Sequence, residues 1–319
     1  AGDLVVTELD ADLPKLELTG AGVFALRPDG KAIAVGDAKG NVAVHLLAGG
    51  KPTFRLAGQG SVKGLADSPD GRRLAVGARA ASGHDAVKVY AEGNEKPVAE
   101  IAGVNDPKEW PSDTRLVVGG GTEAGVYDLA KGGYAGRAPA ALKAFAVSPD
   151  GTTLAGLTPE GLRVRLWNLA TGKPLHAEDD AFPNPALMLG SPDGKSLFLL
   201  AADAAYLWPV GAPGAKPAGT LPGLAVSAAA GGGTLAVATP DAVCVYAGFD
   251  PLRPLPAKPT RTLDRSARAQ VVAVAPDGAR VAWADGSGTV FVADPADKAR
   301  GALPNVTTSV LALAFSPDG

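Results

Sequence analysis

Ser68-Pro69-Asp70-Gly71-Arg72-Arg73-Leu74-Ala75-Val76-Gly77 is the stretch on which the fold turns. It reads as a tight turn followed by an apolar strand. Proline presets φ at the second turn position, aspartate bonds back to nearby backbone N–H groups, and glycine takes the positive φ. The same shape returns at Arg27 to Gly30, Ser148 to Gly151, Ser191 to Gly194, Ala275 to Gly278 and Ser316 to Gly319. The turn prolines stand at 28, 69, 149, 192, 276 and 317, at intervals of 41, 80, 43, 84 and 41. The unit is therefore about 40 residues, and each double gap hides a copy.

Both hidden copies can be found. Trp110-Pro111-Ser112-Asp113 precedes Leu116-Val117-Val118-Gly119, and Gly231-Gly232-Gly233 precedes Leu235-Ala236-Val237. A third strand follows in each unit, as in Val87-Lys88-Val89-Tyr90 and Val164-Arg165-Leu166-Trp167, and a weaker fourth follows that, as in Pro97-Val98-Ala99-Glu100-Ile101. A four-stranded unit of this period, repeated along the whole chain, predicts an all-β fold: a β-propeller of four-stranded antiparallel blades, residues 1–319 forming a single domain. Seven complete blades are expected at about 22–58, 61–101, 103–134, 142–176, 185–219, 222–264 and 269–303.

The pieces outside these blades predict a partial eighth. Ser309 to Phe315 reads as an innermost strand with its turn, Asp3 to Leu9 as a third strand, and Lys15 to Leu18 as a fourth. The second strand of that blade is lacking. Three readings are open: the chain is part of a longer protein, the ring closes with seven blades, or a partner supplies the strand.

With these turns and strands in place, the chain resembles the WD40-repeat propeller family over essentially its full length. The best copy runs Ala144 to Gly151, then Val164-Arg165-Leu166-Trp167-Asn168, then Thr171-Gly172-Lys173-Pro174. The family's Trp-Asp pair is replaced by Trp167-Asn168, Tyr127-Asp128 and Trp208-Pro209, and its Gly-His pair is missing before most inner strands. The repeats are thus of a degenerate, bacterial type. The resemblance implies a rigid platform for protein partners that is normally not an enzyme.

Composition narrows the function classes further. A formal net charge of −3, with 20% charged residues, leaves no electrostatic footprint for nucleic acid. No apolar run reaches the roughly 18 residues of a membrane span; the nearest, Ser196 to Trp208, is interrupted by Asp203. Apolar residues make up 46% but aromatics only 5%, so alanine and valine must build closely stacked sheets. The single cysteine, Cys244, lies in the strand Ala242 to Tyr246, where it reads as a buried structural thiol. Nothing in the sequence fixes a compartment.

No catalytic set and no metal or cofactor site is expected. His45, His84 and His176 fall in three different blades without metal-ligand spacing. His84-Asp85 pairs a base with a carboxylate in sequence, but adjacent residues rarely face each other, and a solvated loop is the plainer reading. The triple glycines at 119–121 and 231–233 join strands and precede no helix, which excludes a phosphate cradle.

Protein binding is expected at three loops. Lys108, Glu109 and Trp110 put charge and an indole where an apolar inner strand should run. Asp179, Asp180 and Phe182 form an acidic stretch with one aromatic, and Arg261, Arg265 and Arg268 a basic one. Exposed aromatics beside charges resemble interface anchors; the competing reading tucks Trp110 and Phe182 into blade seams and leaves the arginines as a solvated face. The expected function is a noncatalytic scaffold for protein–protein contacts. The alternative is a propeller enzyme or redox subunit that binds a small ligand at the central channel.

Overall fold

The computed structural model describes residues 2–6, 16–37, 39–49, 51–138, 141–142, 144–148, 152–159, 163–181, 187–190, 196–202, 204–209, 216–264, 268–294, 299–302 and 310–316. Every regular element among them is a strand. The strands form seven antiparallel sheets, each a meander in chain order; six have four strands and one has five. These are the seven blades of a β-propeller. Their strands span Gly2–Leu56, Ser61–Ala102, Asp106–Ala138, Ala144–Ala181, Leu187–Thr220, Ser227–Asp264 and Val271–Ala302.

The chain divides into two compact units. One comprises Ala1–Gly161 with Arg165–Leu175, the other Leu162–Val164 with His176–Gly319. In both, packing follows from strand alternation. Successive side chains of a strand point to opposite faces of the sheet, so each blade offers one set to the blade before it and the other to the blade after it. In the first unit, Leu74 and Val76 of the second blade join Ala32, Ala34 and Val44 of the first. Their strand neighbour Ala75 turns the other way, to Leu116 and Val118 of the third. Val117 turns onward again to Leu154 and Trp167. The second unit repeats the scheme: Leu235 and Val237 pack with Phe198 and Leu200, while Ala236 and Ala238 pack with Val272 and Trp283.

The recurring glycine at the end of the second strand belongs to this scheme. A Cβ on Gly36 would lie 3.0 Å from Val62 of the next blade. One on Gly77 would strike the Asn105 carbonyl, and one on Gly119 the Phe145 ring. Each glycine admits the innermost strand of the following blade at close range.

The expected turns form. Gly30, Gly71 and Gly278 have φ of 67°, 67° and 75°. Their N–H groups donate to Arg27, Ser68 and Ala275 carbonyls at 2.9, 2.8 and 2.8 Å. The hidden copy at Gly231 to Thr234 is a two-residue hairpin with both central glycines at positive φ, 51° and 74°.

At the other end of the blade, an aspartate closes the turn between second and third strands. Asp285 Oδ1 accepts from Ser287 N at 2.9 Å, Thr289 N at 3.0 Å and the Ser287 hydroxyl at 2.6 Å. Asp37 does the same for Lys39 N and Asn41 N, both at 2.8 Å. Desolvation opposes ionisation of both carboxyls, but the hydrogen bonds outweigh it and hold them below the ordinary carboxylate value. Asp285→Ala is expected to lower the unfolding free energy by about 1 kcal/mol at neutral pH, the low end for hydrogen bonds to a charged group because the turn is solvated. A depressed carboxyl stabilises above its unfolded pKa and loses that contribution as pH falls through the folded value. Urea unfolding at pH 7 and pH 2.5 should therefore show the variant's deficit shrinking in acid.

One sequence expectation is not met. Among the described residues no partial eighth blade is formed. Gly2–Val6 does pair antiparallel with the segment read as a fourth strand, Leu4 opposite Leu18 and Val6 opposite Leu16. However, Leu16–Leu26 is one continuous strand that runs on into the first blade. Gly20, at φ 75°, and register shifts near Ala21 absorb the bend, so the hairpin becomes a fifth strand of the first sheet. Residues 310–316 form no strand, and Leu311 is 85% exposed. In the third blade the innermost strand shrinks to Asp106–Pro107, where proline offers no N–H to the ladder.

Candidate partner-binding surface

Trp110 is 8% exposed and packs with Leu116, Val118 and Ala66 in the seam between the second and third blades. Its indole N–H donates to the Ala66 carbonyl at 3.1 Å. Of the two readings of this residue, the seam is the one realised, and Trp110 is not an exposed anchor. Its neighbours Lys108 and Glu109 are exposed. Lys108 Nζ pairs with Asp106 at 2.6 Å and lies 5.8 Å from the Phe145 ring centroid. Past the end of the inner strand, two backbone bonds still tie this segment to the second strand: Lys108 N donates to Val117 O at 3.0 Å, and Val117 N to Glu109 O at 2.9 Å.

The acidic stretch is not a loop along most of its length. Lys173–Ala181 is a single strand that carries Asp179 and Asp180 in its backbone. Phe182 and Arg265 lie outside the described residues. Arg268 is exposed in the connection from the fourth strand of the sixth blade to the first strand of the seventh. Strand direction places each stretch within its own blade. Lys108 to Trp110 approach the turn between first and second strands; Asp179, Asp180 and Arg268 approach connections between a fourth strand and the next first strand. These are opposite ends of a blade.

The histidine pair resolves simply. Asp85 is held by Arg79 through two bonds of 2.8 Å. The Arg79 hydrogen bonds, against a smaller effect of burial, pull its carboxyl down to about 2. His84 instead meets the Ser82 hydroxyl at 3.0 Å. His45 has a buried Nδ1 without a hydrogen-bond partner, and burial lowers its pKa. Cys244 is 1% exposed, and burial pushes its thiol up, as suits a structural sulfur. Among the described residues no cluster of His, Cys, Asp or Glu could hold a metal ion, and no helix is long and apolar enough to cross a membrane.

Sequence reasoning missed a different surface, in the second unit. The connection Leu221 to Val226 leads from the fifth blade into the sixth. It leaves Leu224 59% and Val226 50% exposed. The backbone beneath is fixed: Ala225 N donates to Ala202 O at 2.5 Å and Val226 N to Ala238 O at 2.9 Å. Gly223 lies against Thr239, beside the exposed turn residues Pro240 and Asp241. Two branched apolar side chains thus stand in water on a loop whose backbone is bonded to the strands on either side. The alternation Leu224-Ala225-Val226 reads as the start of an inner strand, which concealed it. The signal available was Pro222-Gly223, which delays strand entry to Ser227.

No protein-family model matches this sequence, and no curated protein matches it significantly. Solved structures do match. The Cps50 (Swd1) β-propeller domain of Myceliophteria thermophila aligns with a TM-score of 0.59 at 14% identity, covering 89% of this chain and 96% of that one. The computationally designed Ika8 protein aligns with a TM-score of 0.70 at 17% identity, covering 92% and 90%. At such identities the likeness establishes the propeller fold and no more.

Proposed function

We propose that this chain is a noncatalytic propeller of the WD40-like kind that holds protein partners. The observation that carries the reading is the exposed pair Leu224 and Val226 on a loop whose backbone is pinned to the blades on both sides. Single exposed apolar residues need no explanation, but adjacent ones on a pre-ordered loop lose little entropy on binding and can anchor a contact.

The test is native co-purification, with mass spectrometry of what is retained, on the wild type and on a Leu224→Asp, Val226→Asp double variant. Exposed substitutions should leave Tm within about 2 °C. Loss of two central apolar anchors should weaken retention of a specific partner at least ~10-fold. Equal retention by both proteins would place binding elsewhere. Enzymatic turnover of a small molecule by the purified chain would overturn the scaffold reading itself.

A further inference from the structure

Superposing the copies by strand register exposes a second anomaly. Near the end of the innermost strand, one register position faces an apolar residue at the start of the second strand. That position holds Leu26 opposite Ile33, Val147 opposite Leu154, Gly190 opposite Leu197, Ala230 opposite Leu235 and Val274 opposite Val281. In the second blade it holds Asp67, opposite Leu74. The residue that follows is also altered in the blade before. Where other copies have Ser68, Ser148 or Ala275, the first blade has Arg27.

The two exceptions meet. Asp67 and Arg27 both line a cavity of about 20 Å³ between the first and second blades, together with Val44, Phe54, Leu74 and Glu92. Its volume suffices for one water. Asp67 Oδ2 is buried and has no hydrogen-bond partner. Arg27, although its side chain is only 13% exposed, is committed outward: Nε donates to Asp29 at 2.9 Å and Nη1 pairs with Glu92 at 3.4 Å. Its stem rests on Gly71, where a Cβ would lie 2.9 Å from Arg27 Cδ. A buried carboxyl oxygen without a donor, beside a guanidinium occupied elsewhere, is a neutral acid's geometry and not a carboxylate's.

We propose that Asp67 and Arg27 form a proton-operated latch across the seam of the first two blades. With Asp67 protonated, Arg27 holds Asp29 and Glu92, as seen here. When Asp67 loses its proton to solvent, the guanidinium turns into the cavity to meet the new charge and releases Glu92 at the surface.

The surroundings set the working range. Burial raises the Asp67 carboxyl from 3.8 to about 7; Arg27 works against that shift, and Asp29 and Glu92 reinforce it. Arg72 and Arg73, on the hairpin partner of Asp67, line the same cavity. Glu109, in the corresponding stretch of the third blade, is exposed. A carboxyl raised on folding is stabilising only while protonated. Stability should therefore fall as pH rises from about 4 to about 7 and level off above that. The latch would place a conformational change of the blade face within the physiological range.

The test is a carbon-detected carboxyl NMR titration of the intact chain, read with thermal unfolding between pH 5 and pH 8.5. In the wild type, Asp67 should titrate with a midpoint near 7, and the Arg27 and Glu92 side-chain resonances should move with the same midpoint. Asp67→Asn should remove that component from the Tm profile, while Glu109→Gln should leave the Arg27 response in place. Arg27→Gln should move the Asp67 midpoint upward, because a favourable charge is lost. A wild-type Asp67 midpoint near 4 would overturn the proposal, and so would Arg27 and Glu92 resonances that ignore the Asp67 titration. The wild-type titration decides the matter even where a variant fails to fold.

Discussion

Gly77→Ala should destabilise the protein by ~3 kcal/mol, one of the largest losses available from a single methyl group. The added carbon faces the Asn105 carbonyl and would lie 2.5 Å from Pro107 Cδ. Neither neighbour can rotate away. Asn105 N is held by the Gly119 carbonyl at 3.0 Å, and Pro107 is paired with Val118 in the ladder. Relief requires the third blade to move bodily from the second, which would thin the packing among Ala66, Ala75, Leu116 and Val118. Overpacking against backbone costs at the upper end of the usual 1–3 kcal/mol. Gly223→Ala is the control. Its Cβ would find its nearest neighbour at 3.6 Å, in Thr239, so the change should cost under ~0.5 kcal/mol. Paired urea melts of the two variants check the claim. Equal midpoints would mean that the seam glycines carry no packing constraint.

Trp283→Ala should cost ~3–5 kcal/mol, as for other large aromatic truncations in a core. Trp283 is 1% exposed, stacks on Phe291 at 5.4 Å between centroids, and packs with Ala236, Ala238 and Val272 across the seam of the sixth and seventh blades. Trp283→Phe should behave quite differently. The buried indole N–H has no hydrogen-bond partner, so its removal relieves a desolvation penalty while the ring stack survives. The phenyl variant should stay within ~1.5 kcal/mol of the wild type. Calorimetry on the pair separates the two terms. If phenylalanine proved as damaging as alanine, the indole nitrogen would have to be satisfied in solution after all.

The propeller was legible because its signals are local. Asp70, Asp277 and the turn glycines act within four residues, and the strands after them alternate in plain view. Gly36, Gly77 and Gly119 were visible as a repeated letter, but their purpose was not, since it depends on side chains some 30 residues further on. The eighth-blade reading failed for a related reason. Leu16 to Leu18 has the composition of a fourth strand, but whether a strand stops or runs on is decided by the backbone at Gly20, and glycine permits both outcomes. Trp110 stayed open between seam and surface because an indole among charges fits either. Only the Ala66 carbonyl across the seam shows where it goes. Asp67 was readable in principle. Laid against Leu26, Val147 and Val274 it is the odd residue in its column, but it stands beside the aspartates of the adjoining turn and shares their composition.

The division of labour between hydrogen bonds and side chains has a consequence for synthesis. Every ladder described here closes within one blade, from residues near in sequence. Every buried cluster, in contrast, draws on two blades: Leu74 on Ala32, Val117 on Leu154, Leu235 on Phe198. A blade leaving the ribosome can therefore complete its backbone pairing at once but must wait for its successor before it has a core. Folding of the nascent chain should lag emergence by one repeat, about 40 residues. The most recently made blade would always be the vulnerable one, paired but still open to water on its forward face.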